Sequence, residues 1–345
     1  MTDILGLEFE GLKAFVSEIN EPSYRAKQIY TWLHKRNVSD YDTMTDLPEG
    51  LRKKLTELAP VFVPEIKQIR SSNQDGTKKY LFELNDGQLI ESVLMHYKYG
   101  YSICISSQAG CAMGCSFCAS TVGGFIRNLS VSEMLGQIYR IVSDLEDGGR
   151  ISHIVIMGVG EPLLNLETVL PFIRIITSES GYNISARNIT ISTCGIVPGI
   201  KRLAAEQLQV TLALSLHAAT QELRQRLMPV AKKYPLEDVM NSCDEYFRLT
   251  GRRITYEYAM IRGINDSDED ARALIRLIKN RNSHVNLIPL NQTGKDLMPS
   301  SPDKVRHFQE ILAKSKINVT IRRSLGNDID GACGQLRRQY KDTSR

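Results

Sequence analysis

The chain has 345 residues, 42% of them apolar and 24% charged, with a formal net charge of +4. The length supports a large core with one or two appendages, and the composition excludes fibrous, low-complexity and disordered classes. No apolar run approaches the roughly 18 residues of a membrane-spanning helix, so no membrane partner is expected, and the mild positive balance permits a nucleic-acid partner without establishing one.

The first ten residues carry Asp3, Glu8 and Glu10 and lack the basic-then-apolar order of a secretory leader, which points to a cytoplasmic protein. Residues 1–75 read as a helical accessory domain. It includes a basic, aromatic helix with Tyr24, Arg25, Lys27, Tyr30, Trp32, His34, Lys35 and Arg36. Such a face contacts phosphates and stacks on bases; the alternative is a solvated helix with Trp32 in the core. Residues 76–96 read as a β-hairpin linker, with strand patterns at Lys79–Leu84 and Leu89–Met95 around the turn signal Asn85-Asp86-Gly87.

From 97 to 322 short strands and helices alternate. Strands are expected at Tyr101–Ser107, His153–Met157, Asn188–Thr193, Val210–Leu216, Ile254–Met260, Val285–Pro289 and Ile317–Arg322. Ser130 and Glu133 form a capping-box pattern ahead of one helix. Others are expected at Leu166–Thr177, Leu236–Leu249, Asp268–Asn280 and Pro302–Lys314. The alternation predicts an α/β fold: an open, partial parallel β/α barrel of about six units. Residues 323–345 are left as a C-terminal extension.

Seven cysteines occur, three of them within residues 111–118. An odd count crowded in this way reads as metal ligation in a reducing compartment rather than a disulfide framework. The segment is Cys111-Ala-Met-Gly-Cys115-Ser-Phe-Cys118. Its thiolates suit iron–sulfur and zinc alike. A structural zinc site normally takes a fourth ligand at paired spacing, and none follows, so Cys111, Cys115 and Cys118 are read as ligands of a [4Fe-4S] cluster with one iron left open. Gly110 and Gly114 let backbone approach a bulky group. Cys194 and Cys243 are read as structural.

In β/α barrels the chemistry gathers at the C-terminal ends of strands. There the sequence places Gly160 and Glu161 (in Gly158-Val-Gly-Glu-Pro-Leu-Leu-Asn165), Ser192, then Ser215, Leu216 and His217, and finally Asn291. A lone His or Asn is more often a satisfied structural group; four strand ends presenting polar residues in series are harder to dismiss.

The cysteine triplet after the first barrel strand resembles the radical S-adenosylmethionine (SAM) signature. Further segments narrow this: Cys104-x-Ser-Ser-Gln-x-Gly-Cys111, Gly160-Glu-Pro-Leu-Leu-Asn165, Ser215-Leu-His-Ala218, Arg226-Leu-Met-Pro229, Gly263-Ile-Asn-Asp266, and a tail running from Val319 through Gly326, Asp328 and Asp330 to Ala332-Cys333-Gly334-Gln335. Over essentially the whole chain the pattern is similar to the RlmN family of RNA adenine carbon-2 methyltransferases. Cys194 and Gly331 are small departures from it.

The resemblance implies a radical SAM fold, a [4Fe-4S] cluster and two SAM per turnover. It implies that SAM chelates the open iron and contacts Gly160, Glu161, Ser192, Ser215, Leu216, His217 and Asn291. Cys333 matches the cysteine methylated by one SAM. A radical from the second activates that methyl group, which adds to the adenine and leaves a covalent protein–RNA adduct. Cys104 matches the cysteine that resolves the adduct as a disulfide. Such a route is motivated by a ring carbon with no useful acidity. Glu91 matches the proton acceptor, and its run Leu89–Met95 predicts apolar surroundings and a raised pKa. The implied substrates are adenosine 2503 of 23S rRNA and adenosine 37 of tRNA, presented unstacked; the implied partner is a reducing donor such as flavodoxin. A monomer is expected. Near Cys333, Arg322, Arg323 and Arg337 favour a thiolate, and Asp328 and Asp330 oppose it. The tail Arg337–Lys341 is a second candidate RNA contact. Rival readings are the sibling carbon-8 methyltransferase, a non-catalytic iron–sulfur RNA-binding protein, and a zinc protein.

Overall fold

Strands that alternate apolar with small or polar side chains bury one face and leave the other for a different use. The computed structural model describes residues 1–145, 149–290, 297–323, 325–329 and 336. Within them the strands are β1 (Glu65–Ser71), β2 (Lys78–Glu83), β3 (Leu89–Tyr97), β4 (Gly100–Cys104), β5 (Gln108–Gly110), β6 (Phe125–Asn128), β7 (Ile151–Ile156), β8 (Ile189–Thr193), β9 (Thr211–Ser215), β10 (Ile254–Met260), β11 (Ser283–Pro289) and β12 (Val319–Ile321). Ten of them form one sheet in the order β1-β2-β3-β4-β7-β8-β9-β10-β11-β12, and β5 pairs with β6 in a small ribbon. Pairing is antiparallel from β1 to β4 and parallel from β4 to β12.

The helices α1 (Phe9–Glu18), α2 (Tyr24–Tyr30) and α3 (Glu49–Leu58) precede the sheet. Between the parallel strands run α4 (Val131–Ser143), α5 (Leu166–Thr177), α6 (Val197–Ala205), α7 (Gln221–Leu227), α8 (Leu236–Thr250), α9 (Asp268–Ile278) and α10 (Pro302–Lys314). The expected α/β architecture is present, and the parallel run holds the seven strands expected, β4, β7, β8, β9, β10, β11 and β12. α6 and α7 are short and were not anticipated. The sheet also starts earlier, with β1 inside the segment read as helical, and the 76–96 hairpin is continuous with the large sheet through β3 and β4.

The outer face is the core. Ile103, Ile154, Ile191, Leu212, Leu214, Tyr256 and Val285 are buried there with helix residues such as Leu135, Ile173 and Leu203. Each such side chain adds roughly 1.5–3 kcal/mol of burial. The register places the opposite residues in rows on the inner face: Val93, Cys104, Val155, Thr190 and Thr211 in one, Ser215, Glu257, Asn286 and Thr320 in another. α4 begins with the expected capping box, Ser130 Oγ accepting from Glu133 N and the Glu133 carboxylate accepting from Ser130 N.

In the N-terminal helices the structure corrects one expectation. α2 passes into a π-helical turn, Thr31–Lys35, that turns Tyr30, Trp32 and His34 into the core. The Trp32 indole donates to Asp46, and Arg36 lies over its other face. Of the rings proposed to stack on bases, Tyr24 alone is exposed; Lys27, Lys35 and Arg36 remain on the surface.

Candidate active site

The cysteine loop is set by the ribbon beneath it. Gly110 has φ +81°, and a Cβ there would lie 2.0 Å from the Gly124 carbonyl oxygen, so no other residue fits. Cys111 N donates to that same oxygen at 3.0 Å. The far end of the loop rests on α7, where Ser116 N donates to Leu227 O at 2.9 Å. Cys111, Cys115 and Cys118, with Met113 and Phe117, line one side of an open cavity of about 580 Å³. Gly160, Glu161, Ser192, Ser215 and His217 line its other side, with Thr193, Cys194 and Met228.

The donor set fits an iron–sulfur cluster. Burial, with the neighbouring Cys118 and Cys111, pushes the Cys115 thiol up to about 12. Three thiolates gathered there require positive charge among them, which cluster iron supplies. Among the described residues no three His, Cys, Asp or Glu groups stand close enough to hold a single ion; a four-iron cube instead puts each thiolate on a separate iron.

Glu161 is buried and its acceptor atoms face backbone amides: Oε2 takes Cys194 N at 2.8 Å and Oε1 takes Leu163 N at 3.1 Å. Burial raises its pKa against these bonds. Its own amide donates to Gln108 Oε1 at 2.8 Å. At Gly160, φ is +115° and a Cβ would lie 2.6 Å from Gln108 Cβ, so the glycine lets these two segments meet. His217 has φ +54°. Its Nδ1 accepts from Ala259 N at 3.0 Å, which leaves the ring proton on Nε2. Burial lowers its pKa to about 3, so it is a neutral ring, set edge-on to Phe117 at 4.6 Å. Leu216 is buried behind the cavity, and its amide donates to Glu257 O. Ser192 and Ser215 hydroxyls stand 3.4 Å apart.

Cys104 and Glu91 lie to the other side, on the inner face of β3 and β4. Cys104 packs with Val93 and Met95, and with Leu325 from the C-terminal segment. Glu91 is 3% exposed, but its surroundings are not wholly apolar: Lys79, itself fully buried, stands 3.2 Å away. That ion pair corrects the expectation of wholly apolar surroundings. The segment carrying Leu325 is pinned by Asp328, which accepts from Ser72 Oγ (2.7 Å) and Asn73 N (3.0 Å), and by Gly326 N donating to Asp75 (2.8 Å). Leu336 is buried against Leu81 and Leu89. Cys333 and Asn291 lie outside the described residues, as do Asp330 and Arg337.

Sequence reasoning missed several residues that hold this site. Asn265 is fully buried; its Nδ2 donates to His217 O (2.8 Å) and Ala259 O (2.7 Å), and its Oδ1 accepts from Ile261 N (2.8 Å). Gln137 on α4 joins Ser92 Oγ to both the N–H and C=O of Ser106. Arg224 on α7 reaches Cys194 O. The signal for Asn265 was present in Gly263-Ile-Asn-Asp266; Gln137 and Arg224 gave none beyond a polar residue on a helix.

Comparison with known proteins decides the family. A model described as the ribosomal RNA large subunit methyltransferase N-terminal domain matches residues 2–61, and the radical SAM superfamily model matches residues 105–275. A probable dual-specificity RNA methyltransferase RlmN of Lachnoclostridium phytofermentans is 52% identical, covering 99% of this chain and 95% of its own. The chain belongs to the RlmN family. A second relative under the same description, from Lachnospira eligens, is 49% identical over 99% of this chain and 97% of its own. The crystal structure of a radical SAM methyltransferase from Sphaerobacter thermophilus superposes with a TM-score of 0.93 at 41% identity, covering 97% of this chain and 99% of that one. As an RlmN-family member the chain is a radical SAM RNA methyltransferase, and that family carries a [4Fe-4S] cluster and SAM. Among the described residues no helix is long and apolar enough to cross a membrane.

Proposed function

We propose that this RlmN-family chain is a dual-specificity, cytoplasmic enzyme that methylates carbon 2 of adenosine 2503 in 23S rRNA and of adenosine 37 in tRNA. Cys333 carries the methyl group, Cys104 resolves the adduct, and Glu91 accepts the proton. Cys111, Cys115 and Cys118 hold the cluster, while Gly160, Glu161, Ser192, Ser215, His217 and Asn291 contact SAM. A first SAM methylates Cys333 and a second is consumed in activating it; the electron comes from a donor such as flavodoxin. When bound, cluster and SAM supply the carbon radical that activates the methyl group.

The observation that carries this reading is the docking of the tail beside Cys104. Leu325 packs against the small cluster of Val93, Met95 and Cys104, Asp328 is tied to Ser72 and Asn73, and Leu336 is buried against Leu81 and Leu89. Glu91 lies on the same face, across from Leu81 in the β2–β3 register. The Lys79 ammonium stands 3.2 Å from the buried Glu91 carboxylate and gives it a counter-charge.

The decisive experiment is Cys104→Ala with a SAM-loaded, reduced enzyme and an rRNA fragment. A covalent protein–RNA adduct accumulates, linked at Cys333 by mass spectrometry. Free methylated RNA at full yield from this variant rules out the resolving role. Nucleoside chromatography of wild-type product separates the carbon-2 isomer from the carbon-8 isomer.

A further inference from the structure

Arg224 is fully buried in α7. Its Nη2 donates to Cys194 O (2.6 Å) and Ser215 O (3.4 Å), while Nε and Nη1 are buried without a hydrogen-bond partner. Among the described residues no carboxylate forms an ion pair with it, and the two residues whose carbonyls it touches, Cys194 and Ser215, both line the cavity. Burying a guanidinium is costly unless an anion answers it. The cysteine loop sits on the same helix, through Ser116 N to Leu227 O, and Met228 lines the cavity beside the three cysteines.

A four-iron cube held by three thiolates is a net anion, and reduction adds one more negative charge. In a site excluded from water a nearby cation stabilises the more negative state most. We propose that Arg224 is the buried counter-charge of the cluster: it favours the reduced state and so raises the cluster's reduction potential. Arg224 touches no substrate in this assignment and acts through the cluster, as a positioning residue. The inference rests on the cluster reading given above.

The test compares full-length wild type, Arg224→Met and Arg224→Lys, each as apoprotein and after anaerobic reconstitution, without SAM or RNA. Iron and sulfide content, thermal melting and a redox titration followed by electron paramagnetic resonance are the readouts. Removing an unanswered charge leaves the Met apoprotein folded, with a melting temperature at or above wild type. Once loaded, its midpoint moves to more negative potential, with Lys in between. A folded Met variant that takes up no iron while the Lys variant does gives the same assignment. An unchanged midpoint at equal iron content overturns it, as does a Met apoprotein that fails to fold, since Arg224 is then a structural brace. If wild type itself forms no cluster, the cluster reading fails and not merely this extension of it.

Discussion

The two ends of the inner face are held by different means. At the parallel end, side chains lock onto backbone: Glu161 onto the amides of Leu163 and Cys194, Asn265 onto the carbonyls of His217 and Ala259, Arg224 onto Cys194 O. At the antiparallel end, Glu91 faces Lys79, and Cys104 lies in an apolar patch that Leu325 of the tail completes. The contrast teaches that the cavity lined by the three cysteines is built within the body of the fold, whereas the Cys104 end is completed by a segment brought in from far along the chain. Loading the cluster is therefore separable from docking the tail.

The largest expected effects test that separation. Alanine at Cys111, Cys115 or Cys118 abolishes cluster absorbance and methyl transfer while limited proteolysis of the tail stays as in wild type. Gly110→Ala does the same by another route, because the new methyl group meets the Gly124 carbonyl oxygen at 2.0 Å in a backbone of φ +81°. Iron retained at wild-type level in the Gly110 variant contradicts the steric account. Next in size is Lys79→Met. It removes the ammonium 3.2 Å from the buried Glu91 carboxylate, a change that costs about 3–5 kcal/mol, read from the urea midpoint. A midpoint that does not move means the two charges are not mutually dependent.

The third effect is on pH. Burial holds His34 and His217 at about 3, below the ordinary 6.5. The unfolded chain thus takes up protons first as pH falls. Their contribution is complete above about pH 6.5 and shrinks between 6.5 and 3, by at most about 1.4 kcal/mol per pH unit for each ring. The burial-raised Glu161 and Glu257 act in the opposite sense, so the comparison of wild type with His34→Gln isolates the histidine part: the variant's stability declines less steeply below pH 6.5. The smallest effect is at the tail. Asp328→Asn weakens an exposed anchor and lowers turnover by less than about tenfold, with iron content untouched. Loss of iron there would break the proposed independence of the two ends.

Much of this was legible in the sequence because local chemistry agreed with global need. Asn85-Asp86-Gly87 forms its hairpin turn, with Gly87 at φ +76°. The three clustered cysteines and three of the four polar strand ends, at Glu161, Ser192 and Ser215, meet around one cavity. β1 was not legible because a bulge between Ile66 and Gln68 breaks the alternation of its apolar residues, Ile66 and Ile69. The pairing of Lys79 with Glu91 was within reach, since the hairpin register puts them diagonally across β2 and β3 on one face. Arg224 was not, because it acts on a carbonyl 30 residues away, and no periodicity reports such a contact. The inward turn of Trp32 and His34 depends on a π-helical turn that a helical-wheel reading does not anticipate.

Gln137 shows how little slack lies behind the cavity. Its oxygen receives two donors, Ser92 Oγ and Ser106 N, and its nitrogen serves two acceptors, Ser106 O and Glu133 O. Every hydrogen-bonding valence of that amide is occupied in a dry interior, so helix and strand cannot drift apart by degrees. They separate together or not at all, which makes the amide proton of Ser106 a natural deuterium-exchange clock for opening of the wall that carries the cysteine loop.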